Sequence, residues 1–300
     1  MDMLRFGIDL GGTKIELCAF RSARVVHRER IATPAQDYGS IVGALAELVE
    51  RAERALAERG SVGICTPGAI SSKTGAIKNS NTACLNGRPL DRDLAERLGR
   101  EIRIENDANC FALSEAIDGA GAGAGVVFGV ILGTGVGGGI VVRGRCLVGC
   151  NAIAGEWGHI ALPYLDAEDL PAPECYCGRS GCVETYLCGK GLRQDFERRS
   201  GQRREAHEVA QLAAAGDAAA GAALGRYVDR LARGLSVVIN VVDPDVIVLG
   251  GGLSLIDALY PGVVERLPRY VFSDAVQTKV VKAVHGDASG VRGAAWLWEA

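Results

Sequence analysis

Asp9-Leu10-Gly11-Gly12-Thr13-Lys14 separates two apolar runs, Leu4 to Leu10 before it and Ile15 to Phe20 after it. Short apolar runs bounded by glycine predict two strands joined as a hairpin. Two further clusters follow predicted strands: Leu132-Gly133-Thr134-Gly135-Val136-Gly137-Gly138-Gly139 and Leu249-Gly250-Gly251-Gly252. Glycine lets the main chain approach a polyanion and aim N–H groups at it with no Cβ in the way. Any one cluster alone also reads as a tight turn. None is a Walker P-loop, which requires Gly-Lys-Ser/Thr, and none opens a helix as the dinucleotide fingerprint does.

Outward from the first hairpin, Tyr38 to Glu58 carries Ile41, Leu45, Leu48, Val49, Ala52 and Leu56 at helical spacing. Val62 to Cys65 predicts a buried strand broken by Thr66-Pro67-Gly68; Leu90 to Leu98 predicts a helix and Ile102 to Glu105 a strand. Asn106-Asp107 opens a helix to about Ile117, and Gly119 to Gly125 reads as a linker. The pattern then restarts as strand (Val126 to Leu132), glycine turn, strand (Gly139 to Val142), which predicts a structural duplication. Helices are expected over Ala206 to Ala215 and Ala219 to Val242, with Leu224, Tyr227, Leu231, Leu235, Val238 and Ile239 inward and Pro244 as the stop. Strand Val246 to Leu249 and a last helix, Gly290 to Glu299, complete an α/β chain. Two lobes are expected, 1–118 and 119–286, with a C-terminal helix in 287–300 packing back on the first.

Composition excludes several classes. The 300 residues are 48% hydrophobic and 23% charged, a globular balance. A net charge of −3 announces no nucleic-acid partner. Gly119 to Val142 is uncharged and long enough to span a membrane, but Gly133, Gly135, Gly137, Gly138 and Gly139 oppose a helix there, and two strands are expected instead. The start, Met1-Asp2-Met3-Leu4-Arg5-Phe6, has no apolar core of leader length, so a cytoplasmic location is expected. Of the ten cysteines, Cys18, Cys65, Cys84, Cys110, Cys146, Cys150 and Cys188 are scattered and read as small buried hydrophobes.

Two motifs carry chemistry. Ile104-Glu105-Asn106-Asp107-Ala108-Asn109 sets a carboxylate at a strand-to-helix junction. It reads either as a helix N-cap or as the group that takes a hydroxyl proton during phosphoryl transfer. Glu156-Trp157-Gly158-His159 and Cys175-Tyr176-Cys177-Gly178-Arg179-Ser180-Gly181-Cys182 bring three thiols and an imidazole together in sequence. That set suits tetrahedral Zn²⁺ with no open position, hence a structural site of His159, Cys175, Cys177 and Cys182. A redox dithiol would prefer Cys-x-x-Cys near a βαβ start, which is absent.

Three glycine turns in the order hairpin, hairpin, strand–helix resemble the nucleotide cleft of the actin, Hsp70 and sugar-kinase superfamily, a duplicated two-lobe α/β fold of ribonuclease H-like type. The resemblance implies that Gly11, Gly12, Thr13, Lys14, Gly133, Thr134, Gly135 and Gly137 hold ATP phosphates and that Gly250, Gly251 and Gly252 support adenosine. It implies Mg²⁺ support for Asp9, whose other reading is capping of the turn.

At Asp9 to Lys14, Glu156-x-x-His159 and Cys175-x-Cys177-Gly-x-x-Gly-Cys182-x-Glu184 the chain resembles the ROK family (repressors, open reading frames and sugar kinases). It is most similar to the bacterial fructokinase branch, through Thr66-Pro67-Gly68-Ala69-Ile70, Lys78-Asn79-Ser80-Asn81, Leu85-Asn86-Gly87, Asp243-Pro244-Asp245, His285-Gly286-Asp287 and Arg292-Gly293-Ala294-Ala295-Trp296. The family likeness implies an ATP- and Mg²⁺-dependent hexose kinase acting on the 6-hydroxyl of fructose, with mannose, glucose or an N-acetylhexosamine as alternatives. Asp107 matches the catalytic base; Asn106, Glu156, His159 and Glu184 match residues that hydrogen-bond the sugar; Gly68 and Asn81 line its pocket. A homodimer with neither nucleic-acid nor membrane partners is implied. Cys84 departs from the aromatic residue usual before Leu-Asn-Gly. The rival reading, a sugar-sensing repressor, expects a DNA-binding arm ahead of Asp9, where this sequence has eight residues.

Overall fold

The computed structural model describes residues 3–34 and 37–298. Met1 and Asp2, which begin the stretch read for a leader, and Glu299, the expected end of the last helix, lie outside the described residues. The chain opens with β1 (Leu4–Leu10), β2 (Lys14–Arg21), β3 (Arg24–Ala32), α1 (Tyr38–Leu56), β4 (Ser61–Thr66), β5 (Ala69–Ile70) and β6 (Ile77–Lys78). Next come α2 (Leu90–Leu98), β7 (Ile102–Asn106), α3 (Asp107–Asp118), β8 (Val126–Leu132), β9 (Val136–Val142) and β10 (Arg145–Cys146). Then follow α4 (Val183–Leu187), α5 (Gly189–Ser200), α6 (Ala206–Ala214), α7 (Ala218–Val242), β11 (Val246–Gly250), α8 (Leu259–Arg266), β12 (Lys279–Lys282) and α9 (Ser289–Trp296).

Two five-stranded sheets follow one plan, β3-β2-β1-β4-β7 and β10-β9-β8-β11-β12. The order third, second, first, fourth, fifth therefore occurs twice, as the repeated strand–glycine–strand pattern predicts. In the first sheet β1 is antiparallel to β2 and parallel to β4, and β4 is parallel to β7. Register sets Asp9 beside Cys65 and Cys65 beside Glu105, so these side chains gather at the carboxyl ends of three neighbouring parallel strands. Open α/β sheets bind ligands at that edge.

The chain divides into two compact units, one of Met1–Gly123, Gly139–Ala154 and His285–Ala300, the other of Ala124–Gly138 and Gly155–Val284. The division expected after residue 118 falls at 123, and 139–154, expected in the second lobe, belongs to the first unit.

In the first unit, Asp37 caps α1 by accepting the Ser40 amide at 2.7 Å, and Ile41, Leu45, Leu48, Val49 and Ala52 bury the helix's apolar face. They share one core with Phe6, Ile8, Leu17 and Ile64 of the sheet. An added Cβ on Gly7 would lie 1.9 Å from the Val291 carbonyl oxygen, and one on Gly63 1.8 Å from that of Ala294. Only glycine therefore lets α9 run against β1 and β4 at backbone distance. In the second unit, α7 starts at Asp217, whose carboxylate accepts the Ala220 amide, and ends at Asp243 in the left-handed region just before Pro244.

Three expectations are corrected. The glycine-rich second turn is shorter than its sequence suggests, because the strand expected from Gly139 begins at Val136 and takes in Gly137 and Gly138 as well. Of the seven cysteines read as buried, Cys18, Cys65, Cys110 and Cys188 are, Cys84 and Cys146 are half-buried, and Cys150 is exposed. β3, β5, β6, β10, β12, α4, α5 and α8 add to the elements expected. The uncharged stretch 119–142 forms strands, and among the described residues no helix is long and apolar enough to cross a membrane.

Candidate active site

In the first unit the chain leaves β1 at Leu10, one residue past Asp9, turns through Gly11 to Thr13 and enters β2 at Lys14. The Gly11 amide donates to the Lys14 carbonyl at 3.0 Å, and the Thr33 hydroxyl donates to the Gly11 carbonyl at 2.7 Å. Gly12, Thr13 and Lys14 are exposed, so the turn's tip is free to meet a ligand. Burial pushes the Asp9 carboxyl above the usual carboxylate range, against a lowering hydrogen bond from the Cys65 thiol; the Asp107 charge adds to the rise. Cys65 reads from sequence only as a small buried residue, and strand register is what brings it to Asp9.

At the end of β7 two neighbours divide the labour that the sequence leaves open. Asn106 is the N-cap: its Oδ1 accepts the Asn109 amide at 2.7 Å. Asp107 is the first residue of α3, with Oδ1 accepting the Ala108 amide at 2.8 Å. Burial pushes its carboxyl up. Burial likewise raises Glu105, which accepts from Asn109 Nδ2 at 2.8 Å and fixes the turn from behind.

Gly68, at φ +87°, follows β4, and an added Cβ there would meet the Lys78 carbonyl oxygen at 2.4 Å. The 78–81 segment therefore lies directly against it. Asn86 braces that segment, accepting from the Ser80 amide at 2.9 Å and donating to the Ser80 carbonyl at 2.8 Å, which leaves Asn81 exposed at its end. An added Cβ on Gly12 would come 3.6 Å from Thr82 Oγ1, so the first glycine turn borders the same loop.

In the second unit the Glu156-Trp157-Gly158-His159 turn is stitched to the second glycine turn. Trp157 is buried, donates from Nε1 to the Gly137 carbonyl at 3.0 Å and meets Phe128 edge-on at 5.8 Å. Gly137 thus sits inside β9 with its carbonyl engaged, while Gly133 has no atom within 4 Å of an added Cβ and Thr134 is exposed. The third turn abuts the second: Gly251, at φ +80°, would place a Cβ 2.4 Å from the Leu132 carbonyl oxygen, and Gly252 beyond it faces open space. Gly250 is the last, buried residue of β11.

Four ligand atoms of His159, Cys175, Cys177 and Cys182 lie within 4.8 Å of one another. His159 Nδ1 is 3.6 Å from Cys175 Sγ, and the Cys177 and Cys182 sulfurs are 3.6 Å apart. Tetrahedral Zn²⁺, with bonds near 2.3 Å to sulfur and 2.0–2.1 Å to nitrogen, needs edges of about 3.6 Å (N–S) and about 3.8 Å (S–S). A disulfide needs about 2.0 Å. These two edges therefore match a tetrahedral metal site, and the Cys177–Cys182 sulfurs are too far apart for a bridge. A hydrogen bond from Arg179 pulls the Cys177 thiol down to about 6, toward the thiolate a metal takes.

Cys182 is also the N-cap position of α4, which presents Glu184. Glu184 Oε2 accepts the Val136 amide at 3.0 Å, and the Gly189 amide donates to the Gly133 carbonyl at 2.8 Å. The thiol loop and the second glycine turn are thereby held together through α4 and α5. A cavity of about 370 Å³ beside α1, lined by Glu50, Glu53, Arg54 and Glu58, includes none of the candidate residues.

A twice-built sheet with glycine turns at its strand ends is the actin/Hsp70/sugar-kinase-like fold, and comparison with known proteins narrows the class to sugar kinases. The ROK family model matches residues 5–300. N-acetyl-D-glucosamine kinases of Salmonella newport and Salmonella typhimurium are 43% identical over 297 residues, 97% of this chain and 98% of theirs. Among solved structures, the ROK hexokinase from Thermus thermophilus superposes with a TM-score of 0.87 at 34% identity, covering 98% of this chain and 97% of that one. The ROK family glucokinase from Streptomyces griseus, in complex with glucose and AMPPNP, gives 0.72 at 28% identity, covering 97% of this chain and 98% of that one.

The chain belongs to the ROK family, as a sugar kinase. The expected leaning toward the fructokinase branch finds no support in these relatives.

Proposed function

We propose that this chain transfers the γ-phosphoryl group of ATP to the 6-hydroxyl of N-acetyl-D-glucosamine. The observation that carries the choice of sugar is 43% identity, over nearly the full length of both chains, to kinases named for that substrate. Fructose, the first expectation, rests on motif likeness alone and gives way to it.

Asp107 is the base. Asn106 performs the capping, so the Asp107 carboxylate keeps an oxygen for the substrate hydroxyl. It accepts the hydroxyl proton as the sugar oxygen attacks the γ-phosphorus and the bond to ADP breaks. Asn106 keeps Nδ2 to donate to a sugar hydroxyl, since only its Oδ1 is engaged in the cap. Glu156, which is exposed, His159 and the second oxygen of Glu184 hold further hydroxyls, and Gly68 and Asn81 line the pocket. The bare turns at Gly11 to Lys14 and Gly133 to Gly135 take phosphates, with Gly137 behind the latter, and Gly250 to Gly252 support adenosine. Asp9 stands where it serves Mg²⁺, which neutralises phosphate charge when bound with ATP.

His159, Cys175, Cys177 and Cys182 hold structural Zn²⁺, which fixes the sugar-facing turn and contributes no chemistry. An ADP-release assay over N-acetylglucosamine, N-acetylmannosamine, glucose, mannose and fructose tests the reading. The highest kcat/KM is expected for N-acetylglucosamine; a preference for fructose would overturn the substrate choice.

A further inference from the structure

His159 has two ring nitrogens and both are engaged. Nδ1 faces Cys175 in the thiol cluster, and Nε2 lies 2.9 Å from the Tyr176 hydroxyl. The two rings meet edge-on, with centroids 5.1 Å apart at 86°. With the Nδ1 lone pair committed to the metal, Nε2 carries the proton and donates it to the tyrosine oxygen. A ring N–H is one donor, so a sugar hydroxyl and the Tyr176 hydroxyl compete for it.

Resting on the substrate reading above, we propose that Tyr176 is a sugar-displaced cap on His159, whose hydroxyl stands where the sugar hydroxyl binds and leaves when sugar arrives. Two features make the displacement a side-chain rotation. Tyr176 is 83% exposed, so its ring is not anchored in a core. Its backbone lies between Cys175 and Cys177, both in the metal cluster, and the Cys175 amide is tied to the Arg179 carbonyl at 2.8 Å, so the loop itself stays in place.

Exchanging one hydroxyl for another at the same N–H is close to neutral. The cost of the cap is therefore set by the fraction of time the site is open, which divides the intrinsic Kd and so weakens binding. A hydrogen bond of ordinary net strength sets that penalty at about threefold to tenfold. Tyr176 thus sets sugar affinity without touching the phosphates.

The test is calorimetric titration of the zinc-loaded protein with N-acetyl-D-glucosamine and, separately, with ATP. In Tyr176→Phe and Tyr176→Ala the Kd for sugar is expected to fall about threefold to tenfold, with ATP affinity and metal content unchanged. Unchanged sugar affinity in both variants, or weaker binding in Tyr176→Phe, overturns the cap; the latter would make the hydroxyl a sugar contact. Should the wild type bind no sugar, the substrate reading fails. The cap is then read from the ¹⁵N resonance of His159 Nε2, which Tyr176→Phe shifts if the cap exists and leaves in place if it does not.

Discussion

Glu184 accepts the Val136 amide proton at 3.0 Å, and Gly135 makes the contact possible because an added Cβ there would stand 2.7 Å from the same oxygen. The helix that begins beside the thiol cluster therefore braces the turn proposed to meet phosphate. Gly135→Ala pushes the carboxylate off the amide and removes a charge-assisted hydrogen bond. ATP affinity, measured by titration, is expected to weaken about tenfold, and sugar affinity falls with it, because the displaced carboxylate is also the one proposed to hold a sugar hydroxyl.

Burial holds the Asp107 carboxyl above the ordinary range, and the proposed base would work only as carboxylate. Activity is accordingly lost as pH falls through that raised value, above the about 3.9 of a free aspartate. Stability responds in the opposite sense. Between the unfolded and folded values the native state binds the proton more tightly, so this group's contribution to stability declines as pH rises through the window. A pH profile of kcat/KM checks the first statement; an acid limb at the free-aspartate value would contradict it.

Much of the fold is legible because its core elements carry strong patterns. β1, β4 and α1 hold Phe6, Ile64 and Leu45 at the right period, and Asp217 and Pro244 punctuate α7. β3 is not legible: it is a sheet edge with its residues exposed or half-buried, and its Arg28 and Arg30 pair with Glu16 of β2, leaving no apolar stripe to read. α5 hides behind Gly189 and Gly191, the latter so close to the Thr185 and Tyr186 carbonyls that a Cβ would meet both at 2.6 Å. The thiol cluster is legible because its ligands are close in sequence. The partition between Asn106 and Asp107 is not, since either side chain can cap a helix and only geometry assigns the task. Cys65 reaches Asp9, and Asn86 braces the Asn81 loop, through contacts that no local pattern encodes.

Arg230 and Asp169 form a buried pair at 2.7 Å, extended by Arg233 to Asp169 at 2.7 Å and Arg230 to Asp195 at 3.0 Å. Removing Arg230 takes one partner from each of two buried carboxylates, while Asp169 keeps Arg233 and Asp195 keeps Arg226. Arg230→Ala is expected to cost about 1–3 kcal/mol of stability, measured by urea unfolding. A loss below about 1 kcal/mol, the worth of a surface pair, would contradict the role given to this network.

Cys177→Ser removes one of the four proposed zinc ligands. Metal analysis is expected to find one zinc per wild-type chain and little in the variant, with a lower melting temperature that added zinc does not restore. Full zinc content in the variant would show that the ligand set is wrong.

The most direct test is Asp107→Asn, assayed for phosphorylation of N-acetyl-D-glucosamine and titrated with sugar and ATP. Because Asn106 keeps the cap, fold and both affinities are expected to hold within about twofold while kcat falls by about 10²–10⁴. Turnover within tenfold of the wild type would contradict the assignment of Asp107 as the base.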